Sequence, residues 1–330
     1  MDQVRMGGSG LRVSKLGLGS MGFGSPDWMA WVKDEAESRP YFKRALDLGI
    51  SYFDTADGYS HGVAEEVVGR ALLDYAGRDN VVISTKVHAP MSERPNDRGL
   101  SRKHIMDAID NSLRRLGVDH VDQYVIHRFD WDTPVEETLE ALHDVVKAGK
   151  ARYLGASNLR PHQLVKMHQI QIRRGWTEWI SYQPHYNLLY REDERDNIPY
   201  CIEEGLGVTP WSPVARGLLA APYQPHSNDV RVKTDPLQKM YGPDDVPVID
   251  RCVELAKRRG VSPAQIATAW TLHKPGVCAT LIGPTELFHI DEAVAALDIE
   301  FDNTELEFLE ELYRPHALLG LDPPVHDQDD

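Results

Sequence analysis

Short apolar runs alternate with amphipathic segments along most of the chain, and each pattern predicts a different element. The apolar runs lack a strict alternation of polar and apolar residues, which is typical of strands that are buried on both faces. We predict eight such strands, at residues 15–19, 50–55, 81–87, 121–127, 151–157, 180–185, 207–212 and 278–283. A glycine-broken segment at residues 4–13 precedes the first strand and predicts a small hairpin.

The amphipathic segments between these runs predict helices. After Ser101, a suitable N-cap, apolar residues recur at three- and four-residue spacing until Gly117 ends the pattern. A second helix is predicted from Thr133-Pro134, with proline in its first turn, to Gly149. Similar patterns predict helices at residues 39–48, 64–75, 161–174, 191–204, 248–259 and 262–273.

Strand-then-helix units that repeat without a change in composition favour one α/β fold. We predict a single (β/α)8 TIM barrel, with the hairpin before it and loop and helix additions at the C-terminus. On this interpretation residues 1–330 form one domain, and residues from about 322 to 330 form an acidic, disordered tail. An open, doubly wound sheet is the alternative fold.

The segment Gly17-Leu-Gly-Ser-Met-Gly22 fits the glycine fingerprint of dinucleotide-binding Rossmann folds. That fingerprint requires a helix to begin inside the motif, so that its N-terminal amides meet the pyrophosphate. Gly24-Ser-Pro26 follows at once and would break such a helix. We therefore favour a glycine-rich turn at the mouth of a barrel over a Rossmann unit.

Charge and composition exclude several classes of protein. The formal net charge is −15, which disfavours binding to nucleic-acid phosphates. No apolar run approaches the roughly 18 residues of a membrane-spanning helix, and the first residues do not resemble a secretory signal. The three cysteines, Cys201, Cys252 and Cys278, form no motif, which favours reduced thiols and a cytoplasmic location.

Polar side chains stand at the C-terminal ends of the predicted strands, which converge on one mouth in a TIM barrel. Each has a structural explanation when taken alone, such as capping a turn or packing in a loop. Together they favour a catalytic site, because unpaired polar groups are costly to bury. They are Asp54 with Tyr59 just beyond it, Lys86, His127, Ser157, Asn158, Gln183, Trp211 and Ser212.

The first four of these residue types predict a definite chemistry. A tyrosine hydroxyl has an ordinary pKa of about 10, and a nearby ammonium lowers that pKa. Lys86 could supply the ammonium, Asp54 could fix its position, and His127 could orient a substrate carbonyl. The result would be a proton donor for a carbonyl oxygen, which implies hydride transfer from a nicotinamide cofactor.

At this point the chain resembles the aldo-keto reductase superfamily, and in particular its bacterial-type branch related to potassium-channel β-subunits. The resemblance runs from about residue 4 to 320, in the order found in the family. It is carried by residues 53–59, 83–86, 127–139, 149–158 and 211–218.

The resemblance implies NAD(P)H-dependent, reversible reduction of an aldehyde or ketone to an alcohol. Tyr59 would be the general acid/base, Lys86 and Asp54 would tune it, and His127 would orient the carbonyl. The cofactor, NADP(H) before NAD(H), would be held by Ser20, Met21, Ser157, Asn158, Gln183, Trp211, Ser212, Val214, Arg216, Gly283, Thr285, His289 and Glu292.

Parts of the implied cofactor site have separate roles. Ser157, Asn158 and Gln183 would bind the carboxamide, and Trp211 would stack on the nicotinamide in place of the commoner tyrosine or phenylalanine. Residues 212–217 would cover the pyrophosphate, with Arg216 as the cation, and residues 283–293 would hold the adenosine.

Three residues of the implied adenosine segment differ from those of many relatives. Glu286 stands where close relatives often carry lysine, His289 replaces a glutamine or arginine, and Ala293 replaces an asparagine. His289, if protonated, or Arg216 could still meet the 2′-phosphate. We therefore expect a preference for NADPH over NADH that is smaller than about a hundredfold.

Aromatic and basic residues after the strands suggest a rim that binds an apolar or ring-shaped carbonyl compound. The substrate candidates are Trp28, Trp31, His88 and Arg128, with Phe129 and Trp131 nearby. The proline-punctuated segment 222–247 predicts a mobile lid, and residues 313–321 are expected to close the pocket.

Two other functions are open at this point. Relatives of the family serve as regulatory subunits of potassium channels, with a retained cofactor site and slow turnover. A metal-dependent barrel hydrolase would need several histidines at strand ends, but only His127 and His185 lie there, so we expect no metal. The expected partner is a small molecule, and the oligomeric state is open.

Overall fold

Eight parallel strands form the centre of the protein in the computed structural model, which describes residues 1–224 and 233–318. The first seven strands pair in the order of the chain, and the eighth pairs with the first. In order they are β3 (Leu16–Gly19), β4 (Tyr52–Asp54), β5 (Val82–Val87), β6 (Val121–Ile126), β7 (Ala151–Ser157), β8 (Trp179–Gln183), β9 (Gly207–Val208) and β10 (Thr280–Ile282).

The sheet closes on itself through the segments around β9 and β10. Parallel bridges join Val208 to Val277 and Trp211 to Leu281. The Leu281 amide also donates to the Pro210 carbonyl over 2.9 Å. These contacts complete the ring of strands, so the predicted (β/α)8 barrel is confirmed.

Helices surround the strands and bury their apolar stripes against them. In α4, for example, the apolar residues Leu139, Leu142 and Val145 lie on the buried face. The helices are α1 (Glu35–Asp47), α2 (Val63–Tyr75), α3 (Arg102–Leu116), α4 (Val135–Lys147), α5 (Pro161–Arg174), α6 (Asn197–Glu204), α7 (Val246–Arg259), α8 (Pro263–His273), α9 (Phe288–Ala295) and α10 (Asn303–Glu310). Within the described ranges, no helix has both the length and the apolar character needed to cross a membrane.

The start of α1 lies four residues before the predicted one. Asp34 caps this helix, and Glu37 completes a reciprocal capping box with it. The predicted start at residue 39 was wrong, and Pro40 lies inside the helix rather than at its beginning. The earlier start places the residues just before Asp34 at the rim of the barrel.

Several other elements are shorter than predicted, among them the helix at 191–204 and the strand at 207–212. The segment 191–204 is not one helix, because a 3-10 turn at Glu192–Glu194 precedes α6. The backbone departs from helical geometry at Asp196, where φ is −139°. Strand β9 has only two residues, since Pro210 has no amide hydrogen to continue the ladder.

The N-terminal hairpin consists of β1 (Gln3–Arg5) and β2 (Arg12–Ser14), which pair antiparallel as predicted. Its turn packs closely on the chain between α6 and β9. A Cβ atom on Gly7 would lie 2.4 Å from the Gly205 carbonyl oxygen, and the φ of Gly7 is +57°, so only glycine fits there. The hairpin covers the N-terminal end of the barrel, and α10 supplies the predicted C-terminal addition.

Candidate active site

A cavity of about 1270 Å³ opens at the C-terminal ends of the strands. This exceeds the volume of roughly 300–1,000 Å³ usual for small-molecule sites, so it can hold an extended cofactor and a substrate together. Most of the site residues predicted from the sequence line it. They are Met21, Trp28, Trp31, Asp54, Tyr59, His88, His127, Arg128, Asn158, Gln183, Trp211, Ser212, Val214, Arg216, Gly283, Thr285, His289 and Glu292.

Three predicted site residues do not line the cavity. Ser20 is buried, and its amide donates to the Asp54 carbonyl over 2.9 Å. The Ser157 hydroxyl donates to the Gln183 carbonyl over 2.7 Å. Lys86 lies beneath the cavity floor and is fully buried. Ser20 and Ser157 therefore bond to two residues that line the cavity, Asp54 and Gln183.

The floor is organised around a buried ion pair. Asp54 ends β4, Lys86 lies on β5, and the two side chains are joined in a salt bridge. The Lys86 ammonium also donates to the Thr55 carbonyl over 2.9 Å, and Gln183 donates to the other Asp54 oxygen over 3.1 Å. A buried charge is stable only when it is paired in this way, so the lysine is held in one position.

Tyr59 lies above this pair in the turn between β4 and α2. The two residues after it, Ser60 and His61, adopt left-handed φ angles of 50° and 51°. The Lys86 ammonium is 5.1 Å from the centre of the Tyr59 ring, and the His127 ring is 5.7 Å away in an edge-on arrangement. The structure thus brings all four predicted catalytic residues together.

The surroundings fix the protonation of these groups near neutral pH. Burial raises the pKa of Tyr59, and Lys86 opposes that rise without reversing it. Burial alone would lower the pKa of Lys86, but Asp54 and Tyr59 shift it upward overall. Burial, reinforced by Lys86, holds the pKa of His127 well below its usual value. The expected net lowering of the tyrosine pKa was wrong, because desolvation outweighs the ammonium.

Trp211 has the geometry of a platform for a planar ring. One face stacks on His185, with ring centres 4.2 Å apart and planes 14° apart, while Trp211 also lines the cavity. Its indole nitrogen donates to Asn158 over 3.1 Å, which fixes its rotation. On the far side of His185 the Tyr190 ring stacks at 4.4 Å. The column thus presents one flat aromatic face toward the cavity.

The loop after Trp211 is suited to an anion. Ser212, Ala215 and Arg216 all have positive φ angles, of 57°, 48° and 59°. Left-handed residues within a turn aim backbone amides into a concave cradle that favours phosphate oxygens. The Arg216 guanidinium, however, is buried and paired with Asp235. Its charge is therefore already neutralised inside the protein.

The expected adenosine segment forms a tight turn before α9. His289 Nδ1 lies 3.3 Å from the Thr285 amide nitrogen and 3.2 Å from the Glu286 amide nitrogen, and it accepts from both. Tyr41 of α1 donates to the Thr285 carbonyl over 2.8 Å. An ion pair between Arg44 and Asp291 also ties α1 to α9. The turn is therefore fixed against α1.

Aromatic side chains form part of the mouth near Tyr59. The Trp28 ring lies 6.5 Å from the Tyr59 ring, and Trp31 also lines the cavity. Phe129 and Trp131 instead pack on each other at 5.0 Å and do not line it. The aromatic rim is therefore confined to the loop after β3.

The expected closing segments are described only in part. Tail residues 313–318 do not line the cavity but pack against the 3-10 turn before α6 and the start of α7. His316 there contacts Asp245 over 2.9 Å, and the Tyr313 hydroxyl donates to Glu192. The expectation that this part closes the pocket was wrong, while 319–321 lie outside the described residues. Of the predicted lid at 222–247, residues 225–232 also lie outside them.

Sequence reasoning missed two charged residues of the cavity, Lys33 and Glu37. Lys33 lines the end formed by Thr285 and His289, and it directly precedes the Asp34 cap of α1. The capping box between Asp34 and Glu37 was the available signal, but the predicted helix began too late to use it. No group of three or more metal-ligating side chains occurs within residues 1–224 and 233–318.

Comparison with known proteins gives a consistent result. Residues 15–314 match the model of the Aldo/keto reductase family. A relative from Aspergillus parasiticus, "Versiconal hemiacetal acetate reductase", is 44% identical over 96% of this chain and 98% of its own. A protein of Saccharomyces cerevisiae named "Putative aryl-alcohol dehydrogenase" is 39% identical over 96% and 98% of the two chains. Both relatives are fungal, so the likeness to the channel-related branch stays a prediction.

Proposed function

Since the chain belongs to the aldo/keto reductase family and is an NAD(P)-dependent oxidoreductase, we propose that it reduces aromatic aldehydes or ketones to alcohols with Tyr59 as proton donor. The observation that carries this proposal is the Tyr59 hydroxyl group's position above the buried pair of Lys86 and Asp54. Both the acid and the cation that supports it are then fixed before a substrate arrives.

The roles of the four residues follow from their protonation. Tyr59 keeps its proton at neutral pH and can give it to a carbonyl oxygen as negative charge develops there. Lys86 stabilises the phenolate that remains, and Asp54 holds Lys86 in place. His127 is neutral, so it can donate one hydrogen bond to the same oxygen and orient the carbonyl.

A bound nicotinamide would supply the hydride. Trp211 would hold its ring, with Asn158 and Gln183 beside it, and the loop at 212–217 would receive the pyrophosphate. We propose NADP(H) as the preferred cofactor, with NAD(H) also accepted, because Thr285 and Lys33 both line the cavity and could contact a 2′-phosphate.

An aromatic carbonyl compound is the proposed substrate class. Trp28 and Trp31 offer flat apolar surfaces beside Tyr59, which suit a ring better than a charged chain. The name of the yeast relative, an aryl-alcohol dehydrogenase, points to the same class. The three thiols are free, and we propose a reducing cytoplasm as the compartment.

The regulatory-subunit alternative is not favoured, because the reported relatives are named as a reductase and a dehydrogenase. Multiple-turnover oxidation of NADPH with 4-nitrobenzaldehyde separates the two functions. We expect many turnovers per protein molecule, which stop when the aldehyde is left out. A single stoichiometric oxidation of bound cofactor would contradict the proposal.

A further inference from the structure

Lys33 lies at the end of the cavity where the cofactor's adenosine is expected. It lines this end together with Thr285 and His289. Its ammonium is 5.7 Å from the centre of the Tyr41 ring, and the Tyr41 hydroxyl donates to the Thr285 carbonyl over 2.8 Å. A single aromatic side chain therefore links the lysine to the turn before α9.

The other basic side chains of the cavity are engaged or distant. Among the described residues that line it, the lysines and arginines are Lys33, Arg128 and Arg216. Arg216 is paired with Asp235, and Arg128 adjoins His127 at the carbonyl end. Lys33 has no salt bridge within the described part of the chain, and its ammonium contacts Tyr41 at the cavity wall.

The Nδ1 atom of His289 is already engaged within the turn before α9. It accepts hydrogen bonds from the Thr285 and Glu286 amides. That nitrogen is therefore occupied by backbone donors. A phosphate at this end would need a donor from another side chain.

We propose that Lys33 binds the 2′-phosphate of NADP(H) and sets the preference for that cofactor over NAD(H). This rests on the proposed function, because it concerns the cofactor of the same site. Glu37 and Glu286 also line this end, but both are exposed, and solvent screens their repulsion of a phosphate. Lys33 would thus provide the positive charge that a lysine provides at the position of Glu286 in relatives.

Two nucleotides that differ only in this phosphate provide the test. Adenosine 2′,5′-bisphosphate and adenosine 5′-monophosphate are titrated by calorimetry into the wild type and Lys33→Met, without any turnover. We expect Lys33→Met to weaken the bisphosphate about tenfold, as loss of one charge-assisted contact does, and to change the monophosphate by less than about twofold. Lys33→Arg should retain most of the discrimination.

Lys43→Met is the matched control, since Lys43 also lies on the α1 side, is exposed and is paired only with Asp47. It should bind both nucleotides as the wild type does. ADP, titrated in parallel, separates the 2′-phosphate from the pyrophosphate. Equal losses for ADP and the bisphosphate would assign Lys33 to the pyrophosphate and overturn the inference.

Unchanged discrimination in Lys33→Met would also overturn the inference. A failure of the proposed function looks different, because the wild type would then bind NADPH without turning over 4-nitrobenzaldehyde, or would bind neither cofactor. If the wild type binds and oxidises NADPH but Lys33→Met keeps its preference, only the assignment of Lys33 fails.

Discussion

Two side chains at the carbonyl end of the cavity can carry a proton, and their surroundings separate their roles. Tyr59 has a raised pKa and is protonated throughout the neutral range, whereas His127 has a strongly lowered pKa and is neutral. We expect the rate of carbonyl reduction to be constant between about pH 5 and 8 and to fall only near or above pH 10. Single-turnover kinetics across that range provide the measurement.

The opposite outcome has a clear signature. If His127 were the proton donor, the rate would fall as the pH rises through about 6 to 7, where an ordinary histidine loses its proton. If the rate falls in this way in the wild type but not in a His127→Gln variant, the proton donor is His127 rather than Tyr59.

The stack under Trp211 supports a second prediction for a single side chain. His185 covers one face of the Trp211 indole, which leaves the other face for a cofactor ring. Trp211→Ala should weaken NADPH binding by about 1 kcal/mol or more, as loss of an aromatic stack does. Fluorescence titration measures this, with Trp131→Ala as the control, since Trp131 does not line the cavity. Equal NADPH affinities for Trp211→Ala and Trp131→Ala would show that no cofactor ring stacks on Trp211.

At the scale of elements, buried carboxyl groups join the loop after β4 to α2 and α3. Asp57 and Glu65 are both fully buried, and Arg115 of α3 donates to Glu65 over 2.6 Å. Burial, reinforced by the charge of Glu65, raises the pKa of Asp57 from 3.8 to about 8. The folded protein therefore holds a proton on Asp57 that the unfolded chain releases at much lower pH.

This shift predicts how stability changes with pH. Between pH values of about 4 and 8 the folded state binds more protons at Asp57 than the unfolded state, so this group's stabilisation is lost as the pH rises. The free energy of unfolding should fall more steeply with pH in the wild type than in Asp57→Asn. Denaturant unfolding at several pH values measures both slopes, and the exposed Asp79→Asn provides a control. If the free energy of unfolding has the same slope against pH in the wild type and in Asp57→Asn, the raised pKa of Asp57 is contradicted.

The elements differ in how far the sequence predicts them, for physical reasons. Helix α3 was predictable from Ser101, Gly117 and its apolar spacing, because these are local signals. The single helix expected at 191–204 was wrong, since the backbone at Asp196 has a φ of −139° and is not helical. Asp193 and Asn197 on either side of it both bond to the Tyr182 hydroxyl of β8, and hydrophobic periodicity does not reveal such a contact.

Over the whole molecule, the barrel topology made most of the candidate site predictable. Strand ends converge at one mouth, so the catalytic candidates could be read from the chain before their distances were known. The partners of Arg216 and His289 could not, because they come from distant segments or from backbone amides. Lys33 was missed for a similar reason, as its position depends on where α1 begins. The single-domain assignment and the disordered tail stay predictions.

The central claim is that Tyr59 gives the proton to the carbonyl oxygen, and Tyr59→Phe tests it most directly. This variant keeps the ring that packs against Trp28 and His127 but lacks the hydroxyl. The control is Tyr52→Phe, which removes a buried hydroxyl that bonds to Gln123 and does not line the cavity. The measurement is kcat with 4-nitrobenzaldehyde, alongside the Kd for NADPH.

We predict that kcat of Tyr59→Phe falls at least about a hundredfold, the usual scale for general acid catalysis. Its Kd for NADPH should match the wild type, because the hydroxyl is assigned to the substrate, and Tyr52→Phe should keep most of its activity. Near-wild-type turnover by Tyr59→Phe would contradict the assignment.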